Sequence, residues 1–218
     1  MPHNLKQRRV KAHNIFDILS KITPKPRTEL CYTTPFTLLA AVLLSAQATD
    51  KQVNIATKAL FKIADTPEDF INLGLEQIEY HIKSIGLFKT KAKNLLATSY
   101  KLRDHFDSKI PDQRALLESL PGVGRKTANV VLNELFNQPT MAVDTHIFRV
   151  ANRTGLAVGK TPVSVEKGLL EAIPSEFLLY AHHHLILLGR YVCKARKPEC
   201  AQCKIVEFCD FEQKNINL

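Results

Sequence analysis

Leu120-Pro121-Gly122-Val123-Gly124-Arg125-Lys126-Thr127-Ala128, followed by the apolar run Asn129-Val130-Val131-Leu132, decides how the chain is read. Gly122 and Gly124 allow positive φ and a close approach by another molecule, while Pro121 fixes the way into the turn. Arg114 to Leu120 ahead of it and Arg125 to about Phe136 behind it read as helices, so the stretch is a hairpin between two helices. The first turn of the second helix offers unpaired N–H groups and the positive end of the dipole, with no acidic residue to occupy it. An ordinary loop between packed helices is the plainer reading. Apolar-Pro-Gly-apolar-Gly with two basic residues behind it favours a phosphate grip formed by Gly122, Val123, Gly124, Arg125 and Thr127.

Lys126 stands in the first turn of that helix, where the dipole disfavours its positive charge. A destabilised ammonium favours the free amine, which makes a lysine nucleophilic. Residue chemistry alone leaves two roles open for it, nucleophile or phosphate contact. Farther on, in Ala142-Val143-Asp144-Thr145-His146-Ile147-Phe148-Arg149-Val150, Asp144 follows a short apolar run and precedes a helical pattern. It is placed as an N-cap, and a cap can also be a catalytic carboxylate.

Cys193, Cys200, Cys203 and Cys209 form a C-x6-C-x2-C-x5-C array. Four thiols this close suit a metal group rather than disulfides, and a single C-x2-C pair fits an iron–sulfur cluster better than zinc. The loop between the first two carries Lys194, Arg196 and Lys197 against Glu199. Charges on a loop pinned at both ends suit a second grip on a nucleic-acid backbone. Cys31, remote from the array, is expected to be a buried thiol.

The hairpin with its lysine, the Val-Asp-Thr-His stretch and the cysteine array together resemble the endonuclease III family, the bifunctional DNA glycosylase/AP lyases of base-excision repair. The resemblance spans nearly the whole chain. It implies an all-α, two-lobed helix-hairpin-helix fold with residues 29–138 as a six-helix domain, and 1–28 with 139–218 as the cluster domain. Lys126 and Asp144 would then be catalytic residues facing one another across the cleft between the lobes. The four cysteines would hold a [4Fe-4S] cluster, expected to be structural. Gln47 would enter the space left when a damaged nucleotide flips out, and Leu87 would also probe the duplex. The partner implied is double-stranded DNA with damaged pyrimidines or abasic sites, met by a monomer in the cytoplasm at the nucleoid. Relatives that only remove the base lack the lysine and carry a further C-terminal domain; this chain has the lysine and ends nine residues after Cys209. One departure is His184, where the family often has a large aromatic, and the chain has no Trp.

The remaining sequence fits a helical globular protein. Its 218 residues are 45% hydrophobic with a formal charge of +9, a balance that suits a polyanion. Lys6, Arg8, Arg9 and Lys11 near the start have no apolar core behind them, which excludes a signal peptide or membrane span there. Ile15, Ile18, Leu19 and Ile22 then keep helical spacing up to Thr23-Pro24.

Thr34-Pro35 begins an apolar helix over 36–46, too short for a bilayer and therefore central and buried. Thr49-Asp50 and Thr66-Pro67 are further helix starts. A separate helix is expected from Leu75 to Ile85, stopped by Gly86, with a basic helix start after it. Thr161-Pro162 and Pro174 open the last two. His182-His183-His184 lie at consecutive helix positions about 100° apart, so they cannot converge on one ion and read as structural.

Overall fold

The computed structural model describes residues 4–216, and they contain helices and turns but no strand. The chain divides into two compact units. Glu29–Phe136 forms one, and the segment up to Thr28 combines with Asn137 onward to form the other.

The middle unit is built around helix α2, Pro35–Leu44. Pro35 sits in its first turn, and Thr34 and Thr37 form a reciprocal capping box. Every residue from Phe36 to Leu44 is buried, so α2 is the hub the other helices wrap. Polarity at Ser45 ends it two residues earlier than the sequence suggests.

Helix α3, Asp50–Ile63, is capped by Thr49, and α4, Pro67–Ile82, by Thr66 with Asp69. The separate helix expected from Leu75 is the second half of α4, which breaks at Gly74, where φ is 72°. Helix α5, Phe88–Phe106, follows, then the short α6, Arg114–Glu118, and α7, Arg125–Phe136. On α5, Lys91, Leu95, Thr98 and Leu102 form one buried stripe, with Lys91 only 5% exposed. The Lys91 Nζ has no hydrogen-bond partner among the described residues, and burial holds its pKa below the usual lysine range.

Cys31 does not fit the expectation of a buried thiol. It is exposed, in the loop before α2, where its backbone N–H donates to Asn54 Oδ1 at 2.8 Å. The segment is held through its main chain, which leaves the thiol outside.

The second unit contains α1, Leu5–Ile22, α8, Thr145–Thr154, α9, Pro162–Ala172, and α10, Ser175–Leu187. A π-helical turn over Leu188–Val192 and two short 3₁₀ turns, Cys200–Gln202 and Val206–Phe208, complete it. Its core joins Ile15, Phe16, Ile147, Val150, Leu169 and Leu185. Two basic residues of α1 serve this packing. Lys11 Nζ donates to the Thr154 carbonyl at 3.2 Å and Arg9 Nε to the Glu171 carbonyl at 3.1 Å, at the C-terminal ends of α8 and α9. His182, His183 and His184 are all buried in α10, and His184 Nε2 lies 2.8 Å from the Thr23 carbonyl. Burial is the main cause holding the pKa of His184 below the usual histidine range.

Candidate functional site

The hairpin closes through Val123 N–H donating to the Leu120 carbonyl at 3.1 Å. Gly122 has φ 76°, and a Cβ there would stand 2.6 Å from the Asn94 Nδ2, so only glycine fits. Gly124 differs from the sequence reading, since its φ is not positive and open space surrounds its Cβ position. What glycine leaves there is room for another molecule's close approach rather than a left-handed bend. Val123 is buried and anchors the tip, while Gly124, Arg125 and Lys126 are exposed at the start of α7. No acidic side chain stands in that first turn.

Two more residues singled out by sequence lie in this unit, both with left-handed backbones. Gln47, in the turn after α2, has φ 56°, and Leu87, the N-cap of α5, has φ 60°. Both side chains are exposed, Leu87 by 61%. An apolar residue held in a strained conformation and facing solvent is costly, and such strain collects at working surfaces.

In the other unit, Asp144 has extended backbone (φ −103°), and its Oδ1 accepts the Ile147 N–H at 2.8 Å. It is therefore the N-cap of α8. The buried run Met141-Ala142-Val143 ahead of it fixes where that cap stands.

Cys193, Cys200, Cys203 and Cys209 line one small apolar cavity, with Leu188, Ile205 and Phe211 among its walls. None is in a disulfide. Burial and the neighbouring thiols push the Cys203 and Cys209 thiols up from their usual range. Among the described residues, no three Cys, His, Asp or Glu side chains converge as a single ion would require.

The loop between the first two cysteines is held by two arginines that the motif reading missed. Arg149 Nε donates to the Cys193 carbonyl at 2.9 Å, and its Nη2 to the Gly189 carbonyl at 2.8 Å. Arg153 donates to the Lys194 and Ala195 carbonyls at 2.8 and 2.9 Å, and its guanidinium lies 4.4 Å from the centre of the Phe211 ring. Within the loop, Lys194 pairs with Glu199, while Arg196 and Lys197 are exposed. The spacing of Arg149 and Arg153, four residues apart on α8, was the available signal.

Residues 40–175 match the model of the HhH-GPD superfamily base excision DNA repair proteins. The chain is 58% identical over 200 residues to the endonuclease III of Rickettsia conorii, covering 92% of this chain and 95% of that one. It is a member of the endonuclease III family. The Escherichia coli endonuclease III is 51% identical over 206 residues, 94% of this chain and 98% of its own length. The fold of this endonuclease III family member also matches that of a trapped endonuclease III–DNA covalent intermediate, with TM-score 0.86 and 42% identity over 92% of this chain and 95% of the other. A thermostable thymine-DNA glycosylase shares the fold at TM-score 0.77 and 22% identity, over 94% of this chain and 96% of that one.

Proposed function

We propose that the chain is a DNA glycosylase with AP lyase activity. It flips an oxidised or ring-saturated pyrimidine such as thymine glycol out of duplex DNA, removes it and cuts the strand 3′ to the abasic site. The observation that carries this reading is Lys126, exposed at the start of α7 directly behind the hairpin, on a chain aligned along nearly the full length of endonuclease III relatives. A phosphate grip delivers the sugar–phosphate backbone to the helix end that bears the amine.

The Lys126 amine attacks C1′ as the bond from C1′ to the base nitrogen breaks, and the base leaves with a proton taken from that amine. Asp144 stabilises the cationic sugar and helps move protons; as the cap of α8 it holds its carboxylate at a fixed height. The C1′–O4′ bond then breaks, O4′ keeping the electron pair and taking a proton as the ring opens, and leaves an imine between C1′ and Nζ. The imine acidifies the C2′ proton, and its removal expels the 3′ phosphate by β-elimination. Water in place of the amine would stop at the abasic site.

Gln47 and Leu87 are the residues we assign to the opened duplex, a role their exposed left-handed positions support. Gly122, Val123, Gly124, Arg125 and Thr127 form the main phosphate grip. Lys194, Arg196 and Lys197 form a second, held by Arg149 and Arg153.

Cys193, Cys200, Cys203 and Cys209 would hold a [4Fe-4S] cluster. A bound cluster would be structural, tying Cys193 and Cys200 at the two ends of the basic loop. No helix among the described residues is long and apolar enough to cross a membrane. The proposed setting is the cytoplasm at the nucleoid, with the protein acting as a monomer.

Incubation with a thymine-glycol duplex tests the reading. Wild type should release the modified base and give a 3′ unsaturated-aldehyde nick on a denaturing gel, and Lys126→Gln should give neither. Nicking by Lys126→Gln at the wild-type rate would remove the lysine from the chemistry.

A further inference from the structure

Three polar side chains on one face of α5 reach the hairpin, and all lie in the same unit as it. Thr98 Oγ1 donates to the Pro121 carbonyl at 2.9 Å. Lys101 Nζ donates to the Ser119 carbonyl at 2.7 Å, and Asn94 fills the space against Gly122. Asn94, Thr98 and Lys101 are spaced i, i+4 and i+7, one above the other.

The Thr98 bond is not the ordinary one. Three other buried hydroxyls turn back on their own helix. Ser99, next door, donates to Leu95 four residues earlier, Thr57 to Val53 and Thr154 to Val150. Thr98, fully buried, instead donates to a residue 23 positions away.

The bond has a direction with a consequence. No peptide bond among the described residues is cis, and in a planar trans peptide the C=O and the following N–H point opposite ways. Turning the Pro121 carbonyl toward α5 therefore turns the Gly122 N–H away from it. We propose that Thr98, supported by Asn94 and Lys101, is a positioning residue for DNA, aiming the Gly122 N–H outward as a phosphate donor. Leu87 is the N-cap of the same helix, eleven residues or about 16 Å from Thr98. Thr98 thus also sets the distance between the grip and the residue assigned to the opened duplex. The inference rests on the hairpin being a phosphate grip.

Wild type, Thr98→Val, Thr98→Ser and Gly122→Ala are compared for binding to duplexes carrying a stable abasic analogue and a single neutral methylphosphonate, moved one position at a time. At the gripped phosphate, the substitution should weaken wild type and Thr98→Ser by roughly three- to tenfold, the affinity equivalent of one hydrogen bond. In Thr98→Val the effect at that position should shrink, the rest of the grip still meeting the phosphate, while its single-turnover rate at saturation stays within about twofold of wild type, as expected for lost binding alone.

A Thr98→Val protein that keeps the full sensitivity overturns the positioning role. If Gly122→Ala, which rebuilds the turn itself, also keeps every sensitivity of wild type, the grip reading falls and the positioning role falls with it. Should Thr98→Val not fold, Thr98→Ala, which removes the same hydroxyl without adding a methyl, takes its place with the same two results.

Discussion

Asp144 Oδ1 accepts the Ile147 N–H at 2.8 Å, so the carboxylate assigned to the chemistry is also the cap of α8. The two roles separate by substitution. Asn caps as well as Asp, whereas Ala does not cap, and losing the cap costs about 1 kcal/mol. Asp144→Asn should keep the thermal midpoint and lose about a hundredfold or more in base release. Asp144→Ala should lose the same activity and also melt about 2–4 °C lower. Thermal melts beside single-turnover assays check this; equal melting of both variants would count against the cap.

Gln47 and Leu87 hold left-handed backbones that glycine adopts freely. Replacing either by glycine relieves strain of about 1 kcal/mol or more, partly offset by the looser unfolded chain. Gln47→Gly and Leu87→Gly should melt at or above the wild-type temperature while excision from duplex DNA falls about tenfold, a trade of stability for function. A destabilised Leu87→Gly would show that the side chain supports the fold instead.

Arg153 donates to two successive carbonyls of the basic loop, so Arg153→Met frees that loop at one end. Duplex affinity should fall by roughly tenfold, about 1.4 kcal/mol, and iron per chain should decline faster during dialysis than in wild type. Iron analysis together with the visible absorption follows the proposed cluster. Unchanged affinity and unchanged iron retention would leave the arginine a surface residue.

Lys91 is a buried cation with no hydrogen-bond partner among the described residues, and burial lowers its folded pKa. Between that lowered value and the unfolded value of about 10.4, the unfolded chain binds more protons, so stability rises with pH there. Below the folded pKa the penalty is fully present. Lys91→Met continues the apolar stripe of α5 and should raise the melting temperature at neutral pH, with the gain shrinking toward alkaline pH. A pH series of thermal melts measures it; a gain that grows with pH would contradict the sign.

The elements visible in the sequence were those with local causes. Thr34-Pro35, Thr49-Asp50, Thr66-Pro67 and Thr161-Pro162 each announce a helix through residues that bond within three positions, and each caps one. The Pro121-Gly122 turn is local in the same way. What stayed hidden depends on distant partners or on main-chain geometry without a marker residue. Thr98 meets Pro121 across 23 positions and Arg153 meets Lys194 across 41, and neither leaves a periodicity. Left-handed Gln47 and Leu87 carry no glycine to announce them. Cys31 was misread because cysteine is usually a buried residue type, while its loop is tied down by its backbone.

The most direct test of the lysine mechanism is borohydride reduction during turnover on a thymine-glycol duplex. A covalent protein–DNA adduct should form with wild type, be absent from Lys126→Ala, and persist at reduced yield in Asp144→Asn. Base release by wild type without any adduct would contradict the imine and make water the nucleophile.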